Sequence, residues 1–126
     1  MGEELRGPVA TGDIDSAAEA LARRIGGSHS VRIPGFGNRE FDAVSERYVA
    51  QTTRSKSATM RPANFLNPAR REQIRDTLRV ARVTGREALF EFTGGAPAAA
   101  VRDFIQRNAD RIGVGVRIDV RYDEGT

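Results

Sequence analysis

The chain of 126 residues contains no cysteine, no tryptophan, one histidine and one lysine. The missing cysteine excludes disulfides, thiolate metal sites and a cysteine nucleophile together. His29 alone cannot build a multi-histidine metal site. No apolar run approaches the roughly 20 residues of a membrane span, so no membrane segment is expected. The opening "MGEELRGPVATG" lacks the basic-then-apolar build of a signal peptide, and any export address is expected to lie elsewhere.

What replaces lysine is arginine. Lys56 is one of twenty basic residues, the other nineteen being arginines, and the formal net charge is +3. The planar guanidinium fork suits phosphate oxygens, although a GC-rich genome produces the same bias. Charge therefore permits a nucleic-acid partner without proving one. The surviving lysine follows the stretch "EFDAVSERYVAQTTRS", which makes its position worth explaining.

The length suits one domain with one core. Residues 1–12, with Gly7-Pro8 and Gly12, read as a linker or junction; 13–122 form the domain and 123–126 a tail. Ala17, Ala18, Leu21, Ala22 and Ile25 recur at helical spacing and end at Gly26-Gly27. "SHSVRIPG" predicts a short strand and turn, and "EFDAVS" and "RYVAQTT" a hairpin turning at Glu46-Arg47. Arg54 to Pro62 is polar and predicts a loop. Asn67-Pro68 opens a helix that stops at Gly85, and "ALFEFT" is a strand. A helix ending at Gly113 and an alternating strand through Val114, Val116, Ile118 and Val120 complete the order αβββαβαβ.

With that hairpin, Val44 faces Val49 and Asp42 faces Gln51, so Asp42, Gln51 and Thr53 fall on one sheet face with Glu40 nearby. Carboxylates among apolar neighbours are costly unless they hold a cation or are otherwise paired. An Asp and an amide oxygen on adjacent strands suit a hard divalent cation that keeps several waters, with a nearby ammonium such as Lys56 helping to hold a hydroxide. Pairing of Asp42 with an arginine, and a solvated Lys56, is the alternative.

The segments "NREFDAVSERYVAQ", "RPANFLNPARREQIRDTLRVARVTGREALFEFTGG" and "RIGVGVRIDV" resemble the restriction-endonuclease-fold toxin domains found at the C-termini of bacterial polymorphic toxins. Those belong to the PD-(D/E)xK nuclease superfamily. The likeness spans about residues 13–120 and implies an α/β, restriction-endonuclease-like fold with a mixed central sheet flanked by helices. It further implies a Mg²⁺- or Mn²⁺-dependent phosphodiesterase acting on DNA or RNA, and a dedicated immunity protein. The setting it implies is a secreted toxin acting in the cytoplasm of a competing cell. DNA is favoured as substrate, with tRNA the runner-up and a non-catalytic nucleic-acid-binding module the alternative of a different class. In this resemblance Asp42, Gln51 and Glu19 match the metal-binding positions, and Arg71 and Gln73 a polar pair on the following helix. The pattern's lysine falls at Thr53, leaving Lys56 as a displaced catalytic lysine, or Arg54 in its stead.

Two of these assignments compete with simpler ones. Ser16-x-x-Glu19 also reads as a capping box. Arg71, Arg75, Arg79 and Arg82 form a helical stripe that either tracks phosphates or pairs with Glu72 and Asp76 as a solvated face. His29 reads as an ordinary strand residue.

Overall fold

The structure, a computed structural model, describes residues 9–10, 16–36 and 39–122. The element order is β1 (Val9–Ala10), α1 (Ser16–Ile25), β2 (Ser28–Arg32), β3 (Glu40–Val44), β4 (Tyr48–Thr53), α2 (Lys56–Met60), α3 (Pro62–Phe65), α4 (Pro68–Val83), β5 (Glu87–Thr93), α5 (Ala99–Ile112) and β6 (Val116–Arg121). The strands form one six-stranded sheet in sequence order. Pairing is antiparallel from β1 to β4 and parallel from β4 to β6. This is the mixed α/β sheet flanked by helices that the family resemblance implies.

Alternation along the strands divides the core in two. On one face Val44, Val49, Ala88, Phe90 and Phe92 pack with Ile74, Leu78 and Ala81 of α4 and Val101 and Ile105 of α5. On the other face Ala43, Tyr48, Ala50 and Leu89 pack with Leu21 and Ala22 of α1. Each fully buried Leu, Ile or Phe contributes roughly 1.5–3 kcal/mol over exposure, so the larger α4/α5 cluster carries most of the apolar burial. The chain enters β2 through Gly27, where a Cβ would stand 2.2 Å from Val44 O; no other residue allows that approach.

The helix starts follow local chemistry. The Asn67 side chain accepts the Arg70 N–H at 2.9 Å, and Pro68 fills the first turn of α4. Gly113, at φ 86°, ends α5 in the left-handed region that favours glycine.

Two expectations are corrected. Residues expected as a loop between Arg54 and Pro62 contain α2 and the start of α3. The Ser55 side chain caps α2, and the buried Ala58 and Phe65 tie both short helices to the core, where Phe65 meets Phe92 at 6.1 Å. Within the stretch expected as a linker, Val9 and Ala10 pair with Arg32 and Val31 as an edge strand. The remainder of that stretch and the tail at 123–126 lie outside the described residues.

Candidate active site

The β3–β4 hairpin turns as the sequence predicts. The Ser45 N–H donates to Tyr48 O at 2.9 Å, and Ser45 Oγ accepts the N–H groups of Arg47 and Tyr48 at 3.2 and 3.0 Å. Val44 pairs with Val49 and Ala43 with Ala50, and there the ladder stops. One step further on, the side chain of Asp42 takes over: its Oδ2 accepts the Thr52 N–H at 2.8 Å.

The strand is irregular at that point. An unbroken pleat would place Phe41 and Ala43 on one face. Phe41 instead packs in the α4-side cluster and Ala43 in the α1-side cluster. In β2, the position that faces Asp42 in register is Ser30, which has φ 51° and a buried Oγ without a hydrogen-bond partner. Asp42 thus stands where regular pairing lapses on both of its sides, and its carboxylate lies against the β4 main chain instead of projecting squarely from a face. The charge of Asp42 acts on Arg70, whose guanidinium pKa is lowered by burial and partly restored by that carboxylate.

Gln51 and Thr52 then diverge. Gln51 is 4% exposed, and its Nε2 donates to Thr77 Oγ1 at 3.2 Å beneath α4; that hydroxyl in turn donates to Gln73 O at 2.8 Å. Thr52 faces α1, and its Oγ1 donates to Glu91 Oε1 at 3.0 Å. Glu91 is also 4% exposed, and its second oxygen is paired with Arg24 Nη2 of α1. A buried unpaired carboxyl group would cost many kcal/mol, and the arginine and the hydroxyl are what satisfy both oxygens of Glu91 inside the sheet. One residue, Thr52, therefore holds two carboxylates: Asp42 through its main chain and Glu91 through its side chain.

Other residues singled out from sequence do not join this arrangement. Glu19 is about half exposed on α1 and pairs with Arg23 at 3.5 Å. Because α1 begins at Ser16 itself, Ser16 is already helical and does not cap; the capping position lies outside the described residues. Lys56 opens α2, exposed, beside a cavity of about 430 Å³ lined with Arg54, Gly94 and Gly95. Gln73 Oε1 accepts from Arg70 Nη1 at 2.9 Å. On α4, Arg75 stacks over Phe104 at 5.4 Å and approaches Glu72 at 3.6 Å, while Arg79 lies 3.5 Å from Glu72 and 3.3 Å from Asp76. The partly buried Arg71 has an Nε without a partner. Arg75 and Arg79 are thus engaged in the surface pairing that was the alternative to phosphate tracking. His29 is a half-buried strand residue whose Nδ1 has no partner.

Glu91 is the buried carboxylate beside Thr52 that the sequence pattern did not single out. Its signal was present: an acidic residue between Phe90 and Phe92 in the middle of a buried strand. Alternation also puts Arg117, Asp119 and Arg121 on the face opposite Val116, Ile118 and Val120, and register aligns Thr52, Glu91 and Asp119 across three strands.

The fold implies a divalent metal, and the donors fit one only in a revised form. Among the described residues no group of three or more His, Cys, Asp or Glu side chains could hold a metal ion. Gln51 is engaged under α4, and Glu19 stands apart. Glu91 is engaged at both oxygens, by Thr52 Oγ1 and Arg24 Nη2, which leaves Asp42 as the candidate carboxylate, and Mg²⁺ commonly takes one or two carboxylates with water and substrate phosphate supplying the rest. The donor chemistry matches a hydrated ion completed by its substrate, not a closed protein cage.

Compared with known protein families, residues 8–115 match the family described as restriction endonuclease fold toxin 3. No curated protein and no solved structure matches the chain.

Proposed function

The chain belongs to the restriction endonuclease fold toxin 3 family, and from that premise we propose that it hydrolyses phosphodiester bonds of DNA with a divalent cation. In this reading it is the toxic C-terminal domain of a secreted polymorphic toxin. It acts in the cytoplasm of a competing cell and is held in check by a cognate immunity protein. The observation that carries the enzymatic part is the Asp42 carboxylate fixed on Thr52 where β3 and β4 part, with Glu91 fixed on the same residue.

Asp42 would hold the Mg²⁺ or Mn²⁺ ion, which when bound supplies Lewis acidity toward a phosphoryl oxygen and a hydroxide near neutral pH. The rest is the work of the chain itself. Thr52 fixes the Asp42 carboxylate through its main-chain N–H, so that group needs no ordering when substrate arrives. Arg24 pairs with Glu91 and brings positive charge to this face of the sheet. Arg54 and Lys56 follow β4 directly and bring cations to the end of the strand that carries Thr52.

Thr53 at the expected lysine position keeps a non-catalytic nucleic-acid-binding module as the second reading. One assay separates them. Plasmid DNA and total RNA are incubated with the protein in Mg²⁺, Mn²⁺ or EDTA. Metal-dependent plasmid cleavage that Asp42→Asn removes is the expected result. Cleavage confined to tRNA would make the protein an RNase on the same fold, and binding without any cleavage would leave the module.

A further inference from the structure

The face of β5 and β6 beyond Leu89, on the side of α1, lines a string of open cavities. One of about 660 Å³ and one of about 480 Å³ share Arg24, Glu91 and Arg121 in their walls. The second shares Arg54 and Thr93 with the cavity of about 430 Å³ beside Lys56. Their common residues place the three side by side in one row, a trough running from Arg47 and Arg117, past Glu91, to Lys56 at the ends of β4 and β5. Six cations line it, Arg24, Arg47, Arg54, Lys56, Arg117 and Arg121, against two carboxylates, Glu91 and Asp119.

We infer that this trough is the track for the phosphate backbone of one nucleic-acid strand, which it leads over Glu91 and Thr52. The inference deepens the nuclease reading and rests on it for the substrate class. A trough with several arginines along its length suits a polyanion with repeated charges better than a small ligand. Arg24 and Arg117 of the trough pair with Glu91 and Asp119 just as Arg75 and Arg79 of α4 pair with Glu72 and Asp76, so what favours the trough is its concave lining and its excess of cations over carboxylates. Tyr122, 63% exposed at the wall of the middle cavity, offers a flat surface on which a base of that strand can stack.

The test compares two charge reversals of equal size. Arg47→Glu with Arg121→Glu alters the trough; Arg102→Glu with Arg107→Glu alters the exposed surface of α5 on the other side of the sheet. Circular dichroism first checks that both variants fold. Fluorescein-labelled 20-nucleotide DNA and RNA single strands are titrated by anisotropy in EDTA at several salt concentrations, and plasmid and RNA cleavage is measured in parallel. The trough variant is expected to lose about tenfold or more in affinity, with a salt slope smaller by about one to two. The α5 variant should lose less than about threefold. Equal losses in both variants, or wild-type binding by the trough variant, would overturn the track. If the wild type cleaves and the trough variant cleaves equally well, the track falls and the nuclease reading stands. If the wild type cleaves neither substrate, the nuclease reading falls, and the binding titrations alone decide the trough.

Discussion

The side chain of Asp42 replaces a missing rung of the sheet, its Oδ2 accepting the N–H of Thr52 at 2.8 Å where the β3–β4 ladder ends at Ala43 and Ala50. Asp42 is thus a structural acceptor and a candidate catalytic carboxylate at once. The two roles separate by substitution. Asp42→Asn retains an oxygen for Thr52, so the melting temperature should stay within a few degrees while cleavage falls by about 100-fold or more. Asp42→Ala also strands the Thr52 N–H, at a cost of about 1–3 kcal/mol. Wild-type cleavage by a folded Asp42→Asn protein would remove Asp42 from the chemistry.

Gln51 should behave as a core residue. Its amide binds Thr77 under α4, and Thr77 keeps its own bond to Gln73 O when that contact is lost. Gln51→Leu is therefore expected to cost about 1 kcal/mol in urea denaturation and to leave cleavage within about tenfold of wild type. A stable Gln51→Leu protein without activity would return the glutamine to the active site.

The Arg24–Glu91 pair allows stability and function to be set against each other. Removing one partner of a fully buried pair costs roughly 3–5 kcal/mol, and Arg24, whose side chain is 33% exposed, should cost less, about 2 kcal/mol in Arg24→Ala. Replacing both by apolar residues, Arg24→Met with Glu91→Leu, should recover most of that stability. Cleavage should nevertheless be lost. Recovery of both would show that Glu91 serves only the fold.

Lys56 answers to a simpler rule than its rarity suggests. It is exposed at the start of α2, in the wall of the trough, and no contact ties it to Asp42 or Gln51 among the hydrogen bonds and ion pairs described. As one cation along a track, Lys56→Ala should weaken oligonucleotide binding a few-fold and lower the salt slope by less than about one, and Lys56→Arg should restore both. A rate defect in single-turnover cleavage that arginine does not repair would instead mark the displaced catalytic lysine.

How far the sequence carried can be read from individual residues. The Ser45–Tyr48 turn, the Asn67 cap and the Gly113 stop were legible because each rests on contacts within a few residues. The register that set Val44 opposite Val49 followed from that turn. What alternation could not supply was its own failure: the slip at Asp42 turns a carboxylate expected on the face of Gln51 toward the Thr52 main chain. Glu91 was hidden for another reason. Its partners, Arg24 and Thr52, lie 67 and 39 residues away in the chain, and only the closed sheet joins them.

The sheet changes at β4 from antiparallel to parallel, and this sets an order of assembly. The hairpin that joins Asp42 to Thr52 closes over a few residues, which peptides of that length do within microseconds. Pairing β5 alongside β4 must first close the segment 54–86, including all of α4, and long-range parallel pairing is the slow kind. The expected order is therefore Asp42 on Thr52 first and Glu91 after it, and on that order a chain folded only as far as its hairpin would carry one carboxylate in place and no trough.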